Sequence, residues 1–382
     1  MPFASALSEH PVPAHAVGEV AGEVLEKIGP NPDLAMLFLT PPHAGALEDA
    51  AAAVRSICHP KTLLGCAAVA VAGVGREVEE TPAVSLWAGR FGEVVPARFE
   101  SVPAGDGAAL AGWPGPDTLP FDPQALVLVG DPFSFEVDAL FAMISERYPG
   151  LPVIGGMASA ARAPGANRLV CDGEILTSGA VGAFIGPGPR LTAVVSQGCR
   201  PIGTPLVVTK SERSIVQELA GIPPLERLVE QAQTLPERDI RLINRGLHIG
   251  LVINEHKVEF DRGDFLIRAV MGADQETGAI QVNDEVEVGT TVQFQVRDAD
   301  SADEDLRLLL IDRTADGAML FTCNGRGRNM FGEPDHDASV VKDLLGPVPL
   351  GGIFAAGELG PVGGRNFLHG FTASVLLFED GG

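Results

Sequence analysis

A chain of 382 residues with a 46% hydrophobic share is longer than one hydrophobic core usually organises, about 250–300 residues, and predicts two domains. Aromatic residues supply only 5%, so Ala, Val, Leu and Ile must fill the interior, packed closely with the help of 46 glycines, as in globular enzymes and binding proteins. The formal charge of −23 argues against nucleic acid or anionic lipid as partner, because an acidic surface gains nothing from counterion release. The five cysteines, Cys58, Cys66, Cys171, Cys199 and Cys323, are odd in number and never form a CxxC pair, which predicts reduced thiols, no disulfide framework and no zinc or other metal site. Met1-Pro2-Phe3-Ala4 has neither a basic nor an apolar leader segment, so no secretory signal and a cytoplasmic location are expected. The apolar run over 62–75 is shorter than the roughly 20 residues that span a bilayer, and no membrane insertion is expected.

In chain order, residues 17–28 read as a helix closed by Gly29-Pro30. Residues 34–40 read as a strand, 47–57 as an Ala-rich helix, 62–67 as a second strand and 84–87 as a closing strand. The Pro- and Gly-rich segment 103–123 reads as a surface loop. A similar unit follows: strand 126–130, helix 137–148 with Val137, Leu140, Phe141 and Ile144 on one face, strand 152–159 and closing strand 180–185. Near the end comes a third: strand 318–323, helix 339–345, strand 350–354 and closing strand 373–378. The distance from opening strand to glycine is 31 residues from Leu34 to Gly65, 29 from Leu126 to Gly155 and 33 from Ala318 to Gly351, which points to an internal repeat. A helical crossover makes the two strands of each unit parallel and places ligands beyond their carboxyl ends. Between the second and third units, short runs at 191–196, 205–209, 247–253, 265–271 and 292–296, separated by Gly, Pro and Asp/Asn turns, predict antiparallel β structure, with helices at 224–233 and 300–310. The expected fold is α/β (α+β): repeated strand-loop-helix-strand units in mixed sheets, with an inserted antiparallel β region in the C-terminal half. Domains are expected at 30–220 and 221–378, joined near Gly221-Ile222-Pro223.

Candidate functional residues gather in the third unit. Asn324-Gly325-Arg326-Gly327-Arg328 follows a strand; its glycines allow close backbone approach, and Arg326 or Arg328 can fork onto a carboxylate. The alternative is that an arginine pins the loop by pairing with Glu358 or Asp335. Glu358, in Ala356-Gly357-Glu358-Leu359-Gly360-Pro361, can bond a ligand amine or simply cap a turn. Asn366, His369 and Thr372 precede the last strand and can add polar contacts, although a lone histidine is commonly structural. Gly155-Gly156-Met157-Ala158-Ser159 has neither the ending nor the spacing of a phosphate-binding loop; its small residues suit tight packing, with Ser159 able to reach a pocket. Cys323 with His369 can be read as nucleophile and base, or as an inert packing residue. His43 and Asp131, in the equivalent loops, share no chemistry with Cys323, which weighs against a common catalytic duty.

Cys323-Asn324-Gly325-Arg326-Gly327, the stretch Gly351 to Pro361 and Thr372-Ala373-Ser374-Val375 resemble the C-terminal signature of FIST proteins. Leu64-Gly65-Cys66-Ala67 and Ile154-Gly155-Gly156-Met157-Ala158-Ser159 resemble the N-terminal half of that family, and the resemblance runs from about Asp33 to Phe378. It implies a bacterial-type intracellular signal-transduction sensor that binds a small ligand, such as an amino acid or a related carboxylate-bearing metabolite, with no cofactor. FIST domains accompany F-box, histidine-kinase or methyl-accepting modules; none is recognisable here, so a stand-alone module acting on a separate signalling protein is expected. The family offers no agreed catalytic residues to carry over, and no catalysis is expected. The ligand-binding set is then Arg326, Glu358, Asn324, Gly325, Gly327, Ser159, Asn366, His369 and Cys323. A thiol-dependent enzyme using Cys323 and an acidic protein-binding scaffold are the competing readings.

Overall fold

The computed structural model describes residues 2–104, 107–113 and 119–380. They form two compact units, one comprising Met1–Ser196, Leu306–Leu368 and Thr372–Gly382, the other Gln197–Asp305 with His369–Phe371. Residues 221–223 lie inside the second unit, where Leu219 N donates to Ile222 O at 2.8 Å.

The first unit holds three mixed sheets. One runs Phe3–Ser8, Val84–Gly89, Leu34–Leu39, Thr62–Ala67, Leu169–Cys171, Glu174–Leu176. The next runs Arg365–His369, Glu358–Val362, Val153–Met157, Ala125–Gly130, Ala180–Ile185, Val94–Ala104, Gly107–Ala111, and the last Arg190–Gln197, Thr372–Glu379, Gly317–Cys323, Leu350–Ala355, Ala70–Gly73, Arg76–Glu79. In each, one pair is parallel as the crossover rule requires: Leu34–Leu39 with Thr62–Ala67, Ala125–Gly130 with Val153–Met157, and Gly317–Cys323 with Leu350–Ala355. An antiparallel closing strand flanks the other side of each opening strand.

Strand alternation explains why these strands are apolar throughout. Leu34, Met36 and Phe38, Val127 and Val129, and Met319 and Phe321 face one shared core with Trp87, Phe3 and Phe378. Their neighbours Ala35, Leu37 and Leu39 pack under helices Pro13–Ile28 and Leu47–Cys58; Leu126 and Leu128 under Val137–Arg147; Ala318 and Leu320 under His336–Leu345. The first helix starts at Pro13 rather than 17, because proline at the first turn needs no hydrogen-bonded N–H.

Two features depart from expectation. The segment 103–123 is not all loop: Val94–Ala104 and Gly107–Ala111 pair as a hairpin, residues 119–123 follow outside any strand, and residues 105–106 and 114–118 lie outside the described set. The strand 62–67 ends at Ala67 as expected, but the hairpin of Ala70–Gly73 and Arg76–Glu79, on the sheet of Leu350–Ala355 with Gly73 opposite Gly351, is not among the expected elements. In return, Glu358–Val362 joins the sheet of Val153–Met157, with Leu359 opposite Gly155. The N- and C-terminal halves thus exchange strands within one unit.

In the second unit the antiparallel segment closes on itself. Leu206–Glu212, Ile215–Leu219, Ile280–Val282, Phe265–Ala273, Leu247–Val252 and Thr291–Arg297 pair in a ring, and Thr291–Arg297 bonds back to Leu206–Glu212. Val208, Val216, Ile249, Ile280, Val292, Phe294 and Val296 fill it. Closure removes the open edges that an antiparallel sheet otherwise exposes.

The repeated glycine has one cause, and in the third unit it falls on Gly352 rather than the expected Gly351, whose Cβ would instead meet the Trp87 side chain at 2.5 Å. A Cβ on Gly65 would stand 2.1 Å from Leu37 O, on Gly155 1.8 Å from Leu128 O, and on Gly352 1.8 Å from Leu320 O, each the cross-strand partner in the parallel pair. The glycine therefore lies within a strand, pressed against a neighbouring carbonyl, and does not shape a ligand loop. Gly352→Ala is expected to destabilise by about 3 kcal/mol or to prevent folding, as overpacking against rigid backbone does. Gly22→Ala, on an exposed helix face with nothing within 4 Å, should instead stabilise by about 0.5–1 kcal/mol; urea denaturation of the two variants checks the contrast.

Candidate functional site

The carboxyl end of Gly317–Cys323 leads into a tight turn in which Arg326 N donates to Cys323 O at 2.9 Å and Asn324 N to Ala355 O at 2.9 Å. The turn points the Arg326 side chain inward, where it is wholly buried. Its Nε and Nη2 donate to Asp337 Oδ2 and Oδ1, each at 2.7 Å, and its Cζ lies 5.1 Å from the centre of the Phe331 ring. Thr322 Oγ1 donates to Asp337 Oδ2 at 2.5 Å, and His336 Nδ1 lies 2.9 Å from Oδ1. The carboxylate on the arginine fork is therefore the chain's own Asp337, in the first turn of His336–Leu345. Neither Glu358 nor Asp335 is on the fork; Asp335 Oδ1 instead accepts Glu77 N at 2.6 Å.

Two more buried carboxyl groups complete this corner. Glu77, on the exchanged hairpin, accepts Ala338 N on Oε1 at 3.0 Å. Glu358 opens the exchanged strand and accepts Thr372 N at 3.0 Å and Thr372 Oγ1 at 2.8 Å, both on Oε2. The Cys323 thiol donates to Asn324 Oδ1 at 3.8 Å and lies close enough to the Glu358 carboxyl to favour its ionised form, and Gly325 N lies 3.4 Å from Sγ as donor. Among the described residues, Arg326 Nη1, Glu358 Oε1 and Glu77 Oε2 are buried without a hydrogen-bond partner.

Electrostatics splits the acids. Burial raises the Asp337 carboxyl, but the Arg326 guanidinium, its hydrogen bonds and His336 outweigh that and hold it well below the usual range. Burial, followed by the charge of Asp337, pushes Glu77 up to about 8. Burial pushes Glu358 to about 8, against the Thr372 hydrogen bonds that favour its ionised form. At neutral pH the corner holds one guanidinium, one carboxylate and two largely neutral carboxyl groups.

The other expected site residues have structural partners. Gly327 adopts φ 59°, and a Cβ there would meet Phe354 at 2.7 Å and Glu79 at 2.8 Å, so this glycine is required by the turn. Asn324 and Arg328 are exposed, and Arg328 N donates to Glu79 Oε1 at 3.1 Å. Ser159 Oγ accepts Val69 N at 2.9 Å and donates to Phe354 O, tying three segments. Asn366 accepts Val153 N at 2.9 Å and donates to Leu151 O at 2.8 Å. His369 is buried and belongs to the other compact unit. Asp131 accepts Asn167 Nδ2 at 2.8 Å and Ser134 Oγ at 2.5 Å, while His43 Nε2 lies 3.0 Å from His10 O. Thr322, Asp337 and Glu77 were absent from the sequence expectation; an acid in a helix's first turn is so common that Asp337 carried no signal of its own.

No group of three or more His, Cys, Asp or Glu among the described residues is arranged to hold a metal ion. No helix among them is long and apolar enough to cross a membrane. A cavity of about 770 Å³ in the second unit is lined by exposed Lys210, Asp274 and Gln281, and lacks the burial of the Arg326 corner.

Comparison with known proteins gives two family matches, the FIST N domain over residues 33–222 and the FIST C domain over residues 225–361. The chain is 44% identical over 384 residues to the uncharacterized protein Rv0628c of Mycobacterium tuberculosis, covering 98% of each. It is also 44% identical over 375 residues to the uncharacterized protein Mb0898c of Mycobacterium bovis, covering 96% of this chain and 95% of that one.

Arg326→Ala is expected to destabilise by about 3–5 kcal/mol, because it leaves the Asp337 charge buried and unpaired; denaturant titration measures it. The raised carboxyl groups predict a pH dependence of known sign. Between pH 4.5 and about 8 the folded chain binds more protons at Glu77 and Glu358 than the unfolded chain, so their contribution falls as pH rises through that window. Asp337 acts oppositely, its contribution being present above its unfolded value of 3.8 and lost in stronger acid. Wild type should therefore lose roughly 3–5 kcal/mol relative to Glu358→Gln between pH 5 and pH 9, read from paired melting curves.

Proposed function

The chain belongs to the FIST family, whose domains are associated with signal transduction and ligand sensing, and we propose that it is a sensory module that binds a small polar metabolite at the Arg326 corner. One observation carries this reading: Arg326 Nη1, Glu358 Oε1 and Glu77 Oε2 are buried in one corner with no hydrogen-bond partner among the described residues. A buried donor or acceptor left unmet costs about 1–3 kcal/mol, and a ligand offering both a donor and an acceptor offsets that cost. Arg326 Nη1 donates to a ligand oxygen such as that of a carboxylate, while an entering ligand ammonium group favours the ionised forms of Glu358 and Glu77 and then donates to their free oxygens. Because the fork of Arg326 is held by Asp337, its contact with the ligand is a single bond. Asn324, Gly325 and Gly327 shape the turn, and Ser159 and Asn366 support the surrounding backbone. The module works in the cytoplasm through a downstream signalling protein, and its acidic surface selects against nucleic acid.

A thermal-shift screen of amino acids, amines and short carboxylic acids tests the reading. A true ligand at 100 times its dissociation constant stabilises by about 2.7 kcal/mol. Glu358→Gln keeps the acceptor for Thr372 and should abolish that shift; a shift that survives in the variant places the ligand elsewhere, and a flat screen removes the reading.

A further inference from the structure

The five cysteines are not alike. Cys58, Cys66, Cys171 and Cys199 are at most 1% exposed, whereas Cys323 is 7% exposed at the end of its strand. Burial pushes the thiols of Cys58, Cys66 and Cys171 upward, making them poor nucleophiles. Cys171 also has an arginine on its sulfur, Arg98, but is 1% exposed. Cys323 combines its greater exposure with Gly325 N as a donor to sulfur, the Glu358 carboxyl beside it and the Arg326 guanidinium close enough to feel a charge on sulfur. Two of these neighbours carry buried polar atoms with no partner, Arg326 Nη1 and Glu358 Oε1.

We propose that Cys323 is oxidised by hydrogen peroxide to a sulfenic acid, with Arg326 as the donor that holds peroxide oxygen and Glu358 as the proton relay. Sulfur attacks one peroxide oxygen; the S–O bond forms as the O–O bond breaks. Sulfur is oxidised and peroxide is reduced to water. The Glu358 carboxyl gives its proton to the departing oxygen and takes the thiol proton in return, so it ends as it began. Thiol plus hydrogen peroxide thus gives sulfenic acid plus water. Burial suits Glu358 to this task, since a carboxyl group held largely protonated at neutral pH can act as an acid. At 7% exposure this sulfur is the most accessible of the five, while its burial shields a sulfenic acid from a second protein thiol. Oxidation needs no bound metabolite, so a flat ligand screen leaves this inference standing.

The test exposes the reduced, folded full-length chain to hydrogen peroxide, removes the excess, then unfolds the chain in dimedone so that every sulfenic acid is reachable, and maps the adduct by mass spectrometry. Label is expected on Cys323 and not on the other four cysteines. Glu358→Gln, confirmed folded by its melting curve, should slow labelling about a hundred-fold, the scale of a lost general acid. If that variant does not fold, Glu358→Asp takes its place and should slow labelling about ten-fold by withdrawing the carboxyl group from sulfur. Folded wild type without label on Cys323, label spread over all five cysteines, or an unchanged rate in the folded variant would each overturn the proposal.

Discussion

One buried guanidinium decides how this corner of the molecule is built. Arg326 is fully enclosed, and an ion in that position costs several kcal/mol unless its charge and its donors are met. Asp337 meets both through two bonds of 2.7 Å in the fork geometry that suits arginine. The pair then fixes its surroundings. The turn after Cys323 must place Arg326 inward, the following helix must begin where Asp337 can reach it, and Thr322 must offer its hydroxyl group. Once the single positive charge is matched, the neighbouring acids Glu77 and Glu358 can stay buried at low cost only by holding their protons, and both have pKa values near 8.

Strand exchange delivers those acids. Glu77 comes from a hairpin of the N-terminal segment that pairs with Leu350–Ala355, and Glu358 from a C-terminal strand that pairs with Val153–Met157. The two family domains, bounded near residues 222 and 225, therefore do not coincide with the two compact units. One compact unit combines three parallel pairs from both ends of the chain, and the other is the closed antiparallel barrel. The corner is not completed by either family domain alone, because Glu77 lies in the first whereas Arg326, Asp337 and Glu358 lie in the second.

The parallel pairs were legible in the sequence because each is local: an apolar run of six or so residues, a helix with one apolar face, and a second apolar run whose glycine recurs at nearly constant distance. That glycine was legible as a feature while its purpose was not, since a neighbouring carbonyl at 1.8 Å from a hypothetical Cβ is a fact about pairing across the sheet. The hairpin at Ala70–Gly73 was hidden for a related reason. It continues the same apolar composition, and only its partner strand, far along the chain, distinguishes it from a longer first strand. Barrel closure was equally invisible, for its antiparallel runs read the same whether or not the first and last pair. Arg326 and Glu358 stood out as an arginine and an acid among glycines, and the structure brings both into one corner with Cys323. Asp337 and Glu77 did not stand out, because acids are abundant in this chain and only the fold selects which of them face inward.

Neutral acids beside a saturated ion pair give the corner a property that a fully ionised cluster lacks. A group with a pKa near 8 changes charge when its surroundings change slightly, because one pKa unit corresponds to about 1.4 kcal/mol. A cation entering beside Glu358 favours its ionised form, whereas an oxygen atom added to Cys323 alters what stands beside the same carboxyl group. Both events act on a residue that opens an exchanged strand and is anchored at its other oxygen by Thr372, the first residue of the strand Thr372–Glu379. A change of charge at Glu358 is therefore a change in how two sheets of one unit are tied together, which is the kind of differential contact that a signalling equilibrium requires.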